Sequence, residues 1–279
     1  MSSETLPLTP TARVPSTWRV FRVSVRAGIE DYKLNYTVTS WIFGWLMRLM
    51  VEVLFFALIG VLLQNPEVTM FLVVGRGLFL GVMEMMWVIQ STAWERYTGT
   101  LPLLVSAPGR VWPVFAGRST QWFPSSLITS LIALFVLAPA LGVRYNAAQA
   151  VVVVLGLLVS VVGTYALALA CASVVLRGAQ YRNLASNVVH GIMALICGIN
   201  VPVDFWPGWV QGFAQIFPVT HGLGAVRAAL DAPDAAFAVA WPGLLLALGV
   251  GFVWLVLGAL LLEQFAASGR RDGSIDLDD

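Results

Sequence analysis

The sequence predicts an all-α integral membrane protein. It should have six transmembrane helices, an N-terminal amphipathic interfacial helix, a short cytoplasmic helix after the second span, and short external helices between spans five and six. Three observations carry this. The 279 residues are 58% hydrophobic and only 11% charged, against roughly 25% charged in an ordinary soluble domain. The apolar residues gather in stretches near the ~20 residues needed to cross a hydrocarbon core of about 30 Å, where a helix satisfies its own backbone without water. The cations between the spans are lopsided: Arg13, Arg19, Arg22, Arg26, Lys33, Arg96, Arg110, Arg177, Arg182, Arg270 and Arg271 fall on one side, Arg144 and Arg227 on the other. That bias puts both termini in the cytoplasm of a multi-pass plasma-membrane protein.

The elements follow in order. Residues 1–15 are polar, contain Pro7, Pro10 and Pro15, and lack the apolar core of a signal peptide, so a disordered cytoplasmic lead is expected. From Ser16 to Lys33, Trp18, Val20, Phe21, Val23, Val25, Ile29 and Tyr32 interleave with Arg19, Arg22, Arg26 and Lys33. A helix with that pattern lies in the interface with its basic face toward anionic headgroups. The spans fall at 39–63, 68–92, 114–140, 149–175, 183–202 and 239–263. Between the second and third, residues 94–108 form a polar, charge-bearing insert on which a soluble partner can push. Residues 201–233 are too broken by Pro202, Pro207, Pro218 and Pro233 for a straight span and too apolar for a plain loop. Short external helices, some dipping back into the membrane, fit there. No loop has room for a soluble domain, so 16–265 is one transmembrane domain and 266–279 a cytoplasmic tail.

Several chemistries find no support. A net charge of +1 gives no footprint for nucleic acid. The single lysine, Lys33, is not preceded by the glycines of a phosphate-binding loop, and no serine sits in a nucleophile elbow. His190 and His221 stand on separate elements without a zinc-ligand spacing, and Cys171 and Cys197 read as small packing residues. No catalytic site, cofactor or metal is expected in the chain itself. The internal charges are sharper signals. Arg48 and Glu52 share a helix face four residues apart and can neutralise each other; Arg76 and Glu84 lie in the second span. Charge in a bilayer is costly and faces protein or water, so Arg48, Glu52 and Glu84 are candidates for a transport pathway or a structural ion pair. Arg76 lies near enough to the outer surface to snorkel.

Two motifs resemble the type 2 ABC transporter permeases, especially the branch exporting drugs and antibiotics. The first is Glu95-Arg96-Tyr97-Thr98-Gly99-Thr100-Leu101 followed by Ala107-Pro108. The second runs from Gly198 through Asn200, Pro202, Asp204, Trp206 and Pro207 to Phe217-Pro218-Val219-Thr220-His221 and Arg227. Pro102 departs from the pattern, in a position suited to the first turn of a helix. The resemblance implies a coupling helix seated on a separate nucleotide-binding ATPase subunit, with Glu95, Arg96, Gly99, Thr100, Leu101 and Pro108 in the coupling element. It also implies that Pro202, Pro207, Pro218, His221 and Arg227 belong to the external helices, and that a second permease chain, identical or different, completes the route. ATP and magnesium would sit on the partner, and the cargo would be amphipathic: drug, antibiotic or lipid. Two rivals stay open, a secondary transporter or channel working without ATP, and an intramembrane lipid-modifying enzyme built on His190, His221 or Asp204.

Overall fold

The computed structural model describes residues 16–97, 99–107, 109–176 and 178–272, and among these every regular element is helical. The expected lead at 1–15, Arg177, Pro108 and the last residues of the tail lie outside the described residues. In chain order the helices are α1 (Thr17–Asn35), α2 (Val38–Leu62), α3 (Pro66–Arg96), α4 (Leu101–Ser106), α5 (Trp112–Ala140), α6 (Ala147–Val175), α7 (Arg182–Ile196), α8 (Gly208–Ala214), α9 (Pro218–Asp231) and α10 (Pro233–Arg271). Five of them, α2, α3, α5, α6 and α10, are long and apolar enough to cross a membrane.

Local chemistry marks the starts. Ser16 caps α1 by accepting the Arg19 amide at 3.4 Å. Asn65 caps α3 by accepting the Glu67 and Val68 amides at 3.0 and 3.2 Å, with Pro66 in the first turn where no N–H is needed. Asn146 and Gln149 form a reciprocal capping box at the start of α6.

Packing orders the helices around α3, whose apolar stretch is 89% buried, against 22% for α2 and for α10. Val74, Leu78 and Val82 of α3 share one core with Val153, Leu157 and Val161 of α6 and Val219, Leu223 and Val226 of α9. α2 rests on α3 and α5 through Leu49, Val53, Leu80 and Ala133. α1 does not float in an interface apart from the bundle. A Cβ on Gly28 would lie 2.3 Å from the Arg118 carbonyl oxygen, and one on Gly117 would lie 2.6 Å from Ser24, so α1 and the start of α5 touch backbone to backbone.

Leu262, Phe265 and Ala266 of α10 pack with Leu101, Val105, Val111, Phe115 and Leu176. The end of α10 therefore lies at the same end of the bundle as α1 and α4, here called the basal end. α10 also continues as helix beyond residue 265, the boundary expected for the tail. At the opposite, distal end the Asn146 side chain donates through Nδ2 to the Pro233 carbonyl at 3.2 Å.

The span expected at 183–202 is not one continuous helix. α7 has 15 residues, about 22 Å at 1.5 Å per residue, which is too short to cross. It climbs along α3 from Trp94, whose ring lies 5.6 Å from the Arg182 guanidinium, past Met86, which accepts from Ser186 at 3.3 Å, to Phe79, 5.0 Å from the His190 ring. Gly198, at φ +84°, then turns the chain away; that left-handed conformation and the prolines beyond it stop the helix. Residues 199–217 return toward the bundle's middle. α9 begins there, since a Cβ on Gly163 of α6 would stand 2.4 Å from Pro218, and two residues away Val161 faces Gly81 of α3. From that depth α9 rises to the distal end. Two partial helices, α7 and α9, thus overlap in depth where one straight span was expected. Short helices do fill 201–233, but α9 is buried in the core rather than laid on the surface.

Candidate functional site

The basal end carries the insert between α3 and α5. After α3, the Thr100 amide and hydroxyl return to the Glu95 carbonyl at 3.1 and 3.2 Å, and Gly99 makes the reversal at φ +70°. Other residues would lose roughly 1–2 kcal/mol there. α4 follows, with Pro102 in its first turn. Leu101 and Val105, one turn apart, are buried against Leu262 and Phe265. The face turned outward is Leu103, 71% exposed, with Ser106, Ala107, Gly109 and Arg110.

Most residues that the sequence put in the coupling element therefore point inward. Glu95 is 5% exposed, paired with Arg118, and accepts from the Thr100 hydroxyl. Arg118 also holds Asp31 of α1. Arg96 donates to the Leu176 carbonyl at 3.0 Å, tying the end of α3 to the end of α6. These groups fix where α4 sits and leave its outer face to others. Sequence reasoning missed Leu103, Arg118, Asp31 and Glu263. Glu263 accepts the Val111 and Trp112 amides at 2.8 and 3.1 Å and so caps α5 from the far end of the chain. Arg118 could have been noticed as a lone arginine just inside the apolar stretch 114–140.

Between α1, the end of α3 and the start of α5 lies a cavity of about 510 Å³, with Asp31, Glu95 and Arg118 on its polar side and Tyr32, Tyr36 and Trp122 as an aromatic wall. Burial raises the Tyr32 and Tyr36 phenols above their usual range, so both remain neutral hydroxyls at ordinary pH. The wall continues into a larger aromatic cluster. Trp87 stacks on Trp122 with centroids 5.6 Å apart, and Trp45 meets Trp87 edge-on at 5.7 Å. A widened π-type turn at Trp41–Leu46 brings in Trp41 and Trp45, and the Trp41 indole donates to Ser125 at 2.8 Å.

Arg48 and Glu52 do not pair with each other. α2 packs on α3, which turns Glu52 toward Arg76 at 3.1 Å, while the Arg76 guanidinium lies 3.5 Å from the Phe56 ring centroid. Arg76 is buried rather than snorkelling. Arg48 stays exposed, 4.8 Å from the Trp45 ring centroid. Glu84 is fully buried, and neither carboxylate oxygen has a hydrogen-bond partner.

In the broken crossing the prolines open each short element. Pro202 precedes the turn Val203–Phe205, Pro207 precedes α8, and Pro218 begins α9. Irregular backbone at this depth needs partners in place of water, and side chains supply them. Arg227 donates to the Gly198 carbonyl and, at 3.1 Å, to that of Phe71; His221 Nε2 donates to Gln215 at 2.9 Å; Gln211 donates to Trp206 at 2.7 Å; the Trp254 indole donates to Ile216 at 2.7 Å. His221 and Arg227 thus act as locks on the main chain.

With this geometry in view, comparison with known proteins gives one match. Residues 21–230, more than half of the chain, fit the family model described as ABC-2 type transporter. No curated protein matches the chain.

Proposed function

The chain belongs to the ABC-2 type transporter family and is a multi-pass membrane protein, and from that premise we propose that it is the permease subunit of an ATP-driven exporter of amphipathic small molecules. A separate nucleotide-binding subunit supplies ATP and magnesium, and a second permease chain, identical or homologous, completes the translocation route. The basal end faces the cytoplasm, which agrees with the cations gathered there, and α7 and α9 together make the sixth crossing.

One observation carries this reading: α4 is packed on α10 at the basal end with Leu103 turned outward. A partner closing on ATP pushes on Leu103, Ser106 and Ala107. Leu101 and Val105 pass that displacement to the end of α10, and Glu95, through Arg118, passes it to α1 and α5. The exposed apolar faces of α2 and α10 serve lipid and the second chain.

The test is co-purification with the ATPase from the native membrane, followed by cargo-stimulated ATP hydrolysis in liposomes. Leu103→Glu should cut that stimulation at least tenfold while leaving the melting temperature of the permease nearly unchanged, because the side chain is 71% exposed. Solute movement by the chain alone in an ion gradient, without ATP, would overturn the reading in favour of a secondary transporter.

A further inference from the structure

We propose that the aromatic cluster between α1, α2, α3 and α5, with Glu84 beside it, binds a hydrophobic organic cation that enters from the basal cavity. This rests on the exporter reading and names the cargo class for it. The first support is Glu84 itself, fully buried with both oxygens unpartnered. Ser125, Thr129 and the Trp45 indole are its polar neighbours, but none hydrogen-bonds it: the Thr129 hydroxyl donates to the Ser125 carbonyl at 2.8 Å, and the Ser125 hydroxyl accepts from Trp41 and keeps a proton that it could turn toward Glu84. A charged carboxylate left this way in a bilayer is costly, and either a proton or an organic cation relieves the cost.

The second support is the chemistry around it. Trp45, Trp87, Trp122, Tyr32 and Tyr36 form one connected set of rings. Ring faces attract alkyl- and arylammonium-type cations. A magnesium or calcium ion would want a shell of oxygen ligands, and an anionic cargo would be repelled by Glu84. The third support is access. Tyr32, Tyr36 and Trp122 belong to both the cluster and the cavity wall. Ser91 and Glu95, which line the cavity, follow Glu84 along one stripe of α3 about two and three turns on. Among the described residues that line the cavity, two carboxylates, Asp31 and Glu95, stand against one guanidinium, Arg118. Arg48, on the Trp45 ring, is the resident cation whose charge reaches Glu84, and it makes no hydrogen bond to it; an entering cation competes with Arg48.

The experiment uses the purified full chain in nanodiscs without ATP, titrated with tetraphenylphosphonium and tetraphenylborate, two ions of one shape and opposite charge. Binding is read by equilibrium dialysis against empty nanodiscs and by tryptophan quenching. Saturable phosphonium binding at least tenfold tighter than borate binding is expected. Glu84→Gln should weaken phosphonium at least tenfold and abolish the preference, Tyr32→Leu should weaken it several-fold, and Arg48→Leu should tighten it several-fold. Should Glu84→Gln fail to fold, the other two variants decide. Equal affinity for the two ions, or unchanged phosphonium affinity in Glu84→Gln, overturns the proposal. So does Arg48→Leu that lowers the melting temperature without tightening phosphonium, since Arg48 and Glu84 would then be an internal pair. ATP-driven export by a chain with no cation preference removes this inference alone; cation binding by a chain that never couples to ATP hydrolysis removes the exporter reading and leaves the site.

Discussion

The basal insert and the broken crossing face the same difficulty, polar groups held away from water, and solve it in opposite ways. At the basal end charge answers charge: Arg118 joins Asp31 and Glu95, and α4 is positioned by the result. In residues 198–221 side chains instead answer backbone, with Arg227, His221, Gln211 and Trp254 each donating to a carbonyl freed by an interrupted helix. The difference follows depth. Near water an ion pair can exchange partners and yield to a push, whereas deeper in the bundle an unmet carbonyl has no alternative donor. The first arrangement suits a part that moves; the second suits one that stays fixed.

The contrast can be broken most forcefully at Arg227. Arg227→Met removes two donors at once, from the Gly198 and Phe71 carbonyls, and should cost about 3 kcal/mol, seen as a large fall in melting temperature in detergent and in the yield of folded protein. A variant as stable as the parent would mean that water reaches this segment. At the basal end the expected loss is smaller. Glu95→Ala takes the carboxylate from Arg118, which keeps Asp31, and from the Thr100 hydroxyl, which keeps the carbonyl of residue 95, for a destabilisation of about 1–2 kcal/mol; hydrogen exchange should quicken at residues 99–105. A stable, well-protected Glu95→Ala chain that nonetheless lost ATPase stimulation would show that Glu95 touches the partner directly. The least effect belongs to Lys33→Ala. Its partner Glu30 lies one turn away and the two side chains are 63% and 68% exposed, so the melting temperature should move by the equivalent of less than about 0.5 kcal/mol.

The long apolar helices were legible because they depend on neighbours in sequence; the caps Asn65, before Pro66, and Asn146, before Gln149, carry the same kind of local signal but were not read from it. The break after α7 was not. From Val188 to Ile199 the chain stays almost wholly apolar, and nothing local announces that Gly198 takes a positive φ or that Arg227, 29 residues on, will meet its carbonyl. The insert between α3 and α5 carries a short helix, and Glu95 and Arg96, expected there as contact or capping residues, are engaged within the chain. Charged Glu95 and Arg96 look like surface residues until Arg118 and the Leu176 carbonyl, from other helices, arrive to meet them, while apolar Leu103 is left outside. Helical spacing put Arg48 and Glu52 on one side of α2, yet a pairing across to Arg76 depends on how α2 and α3 lie together. Glu84 was singled out from its type alone; its lack of partners is visible only in three dimensions.

The capping of α5 by Glu263 has a consequence for the order in which the protein matures. The amides of Val111 and Trp112 are synthesised some 150 residues before the carboxylate that receives them. Throughout insertion of the intervening helices the start of α5 lacks this cap, and the junction of α4, α5 and α10 can close only after Glu263 has been made. A chain released before Glu263 would place its earlier spans in the bilayer yet leave the start of α5 uncapped at the basal end. The shape of the basal end is thereby tied to the arrival of α10.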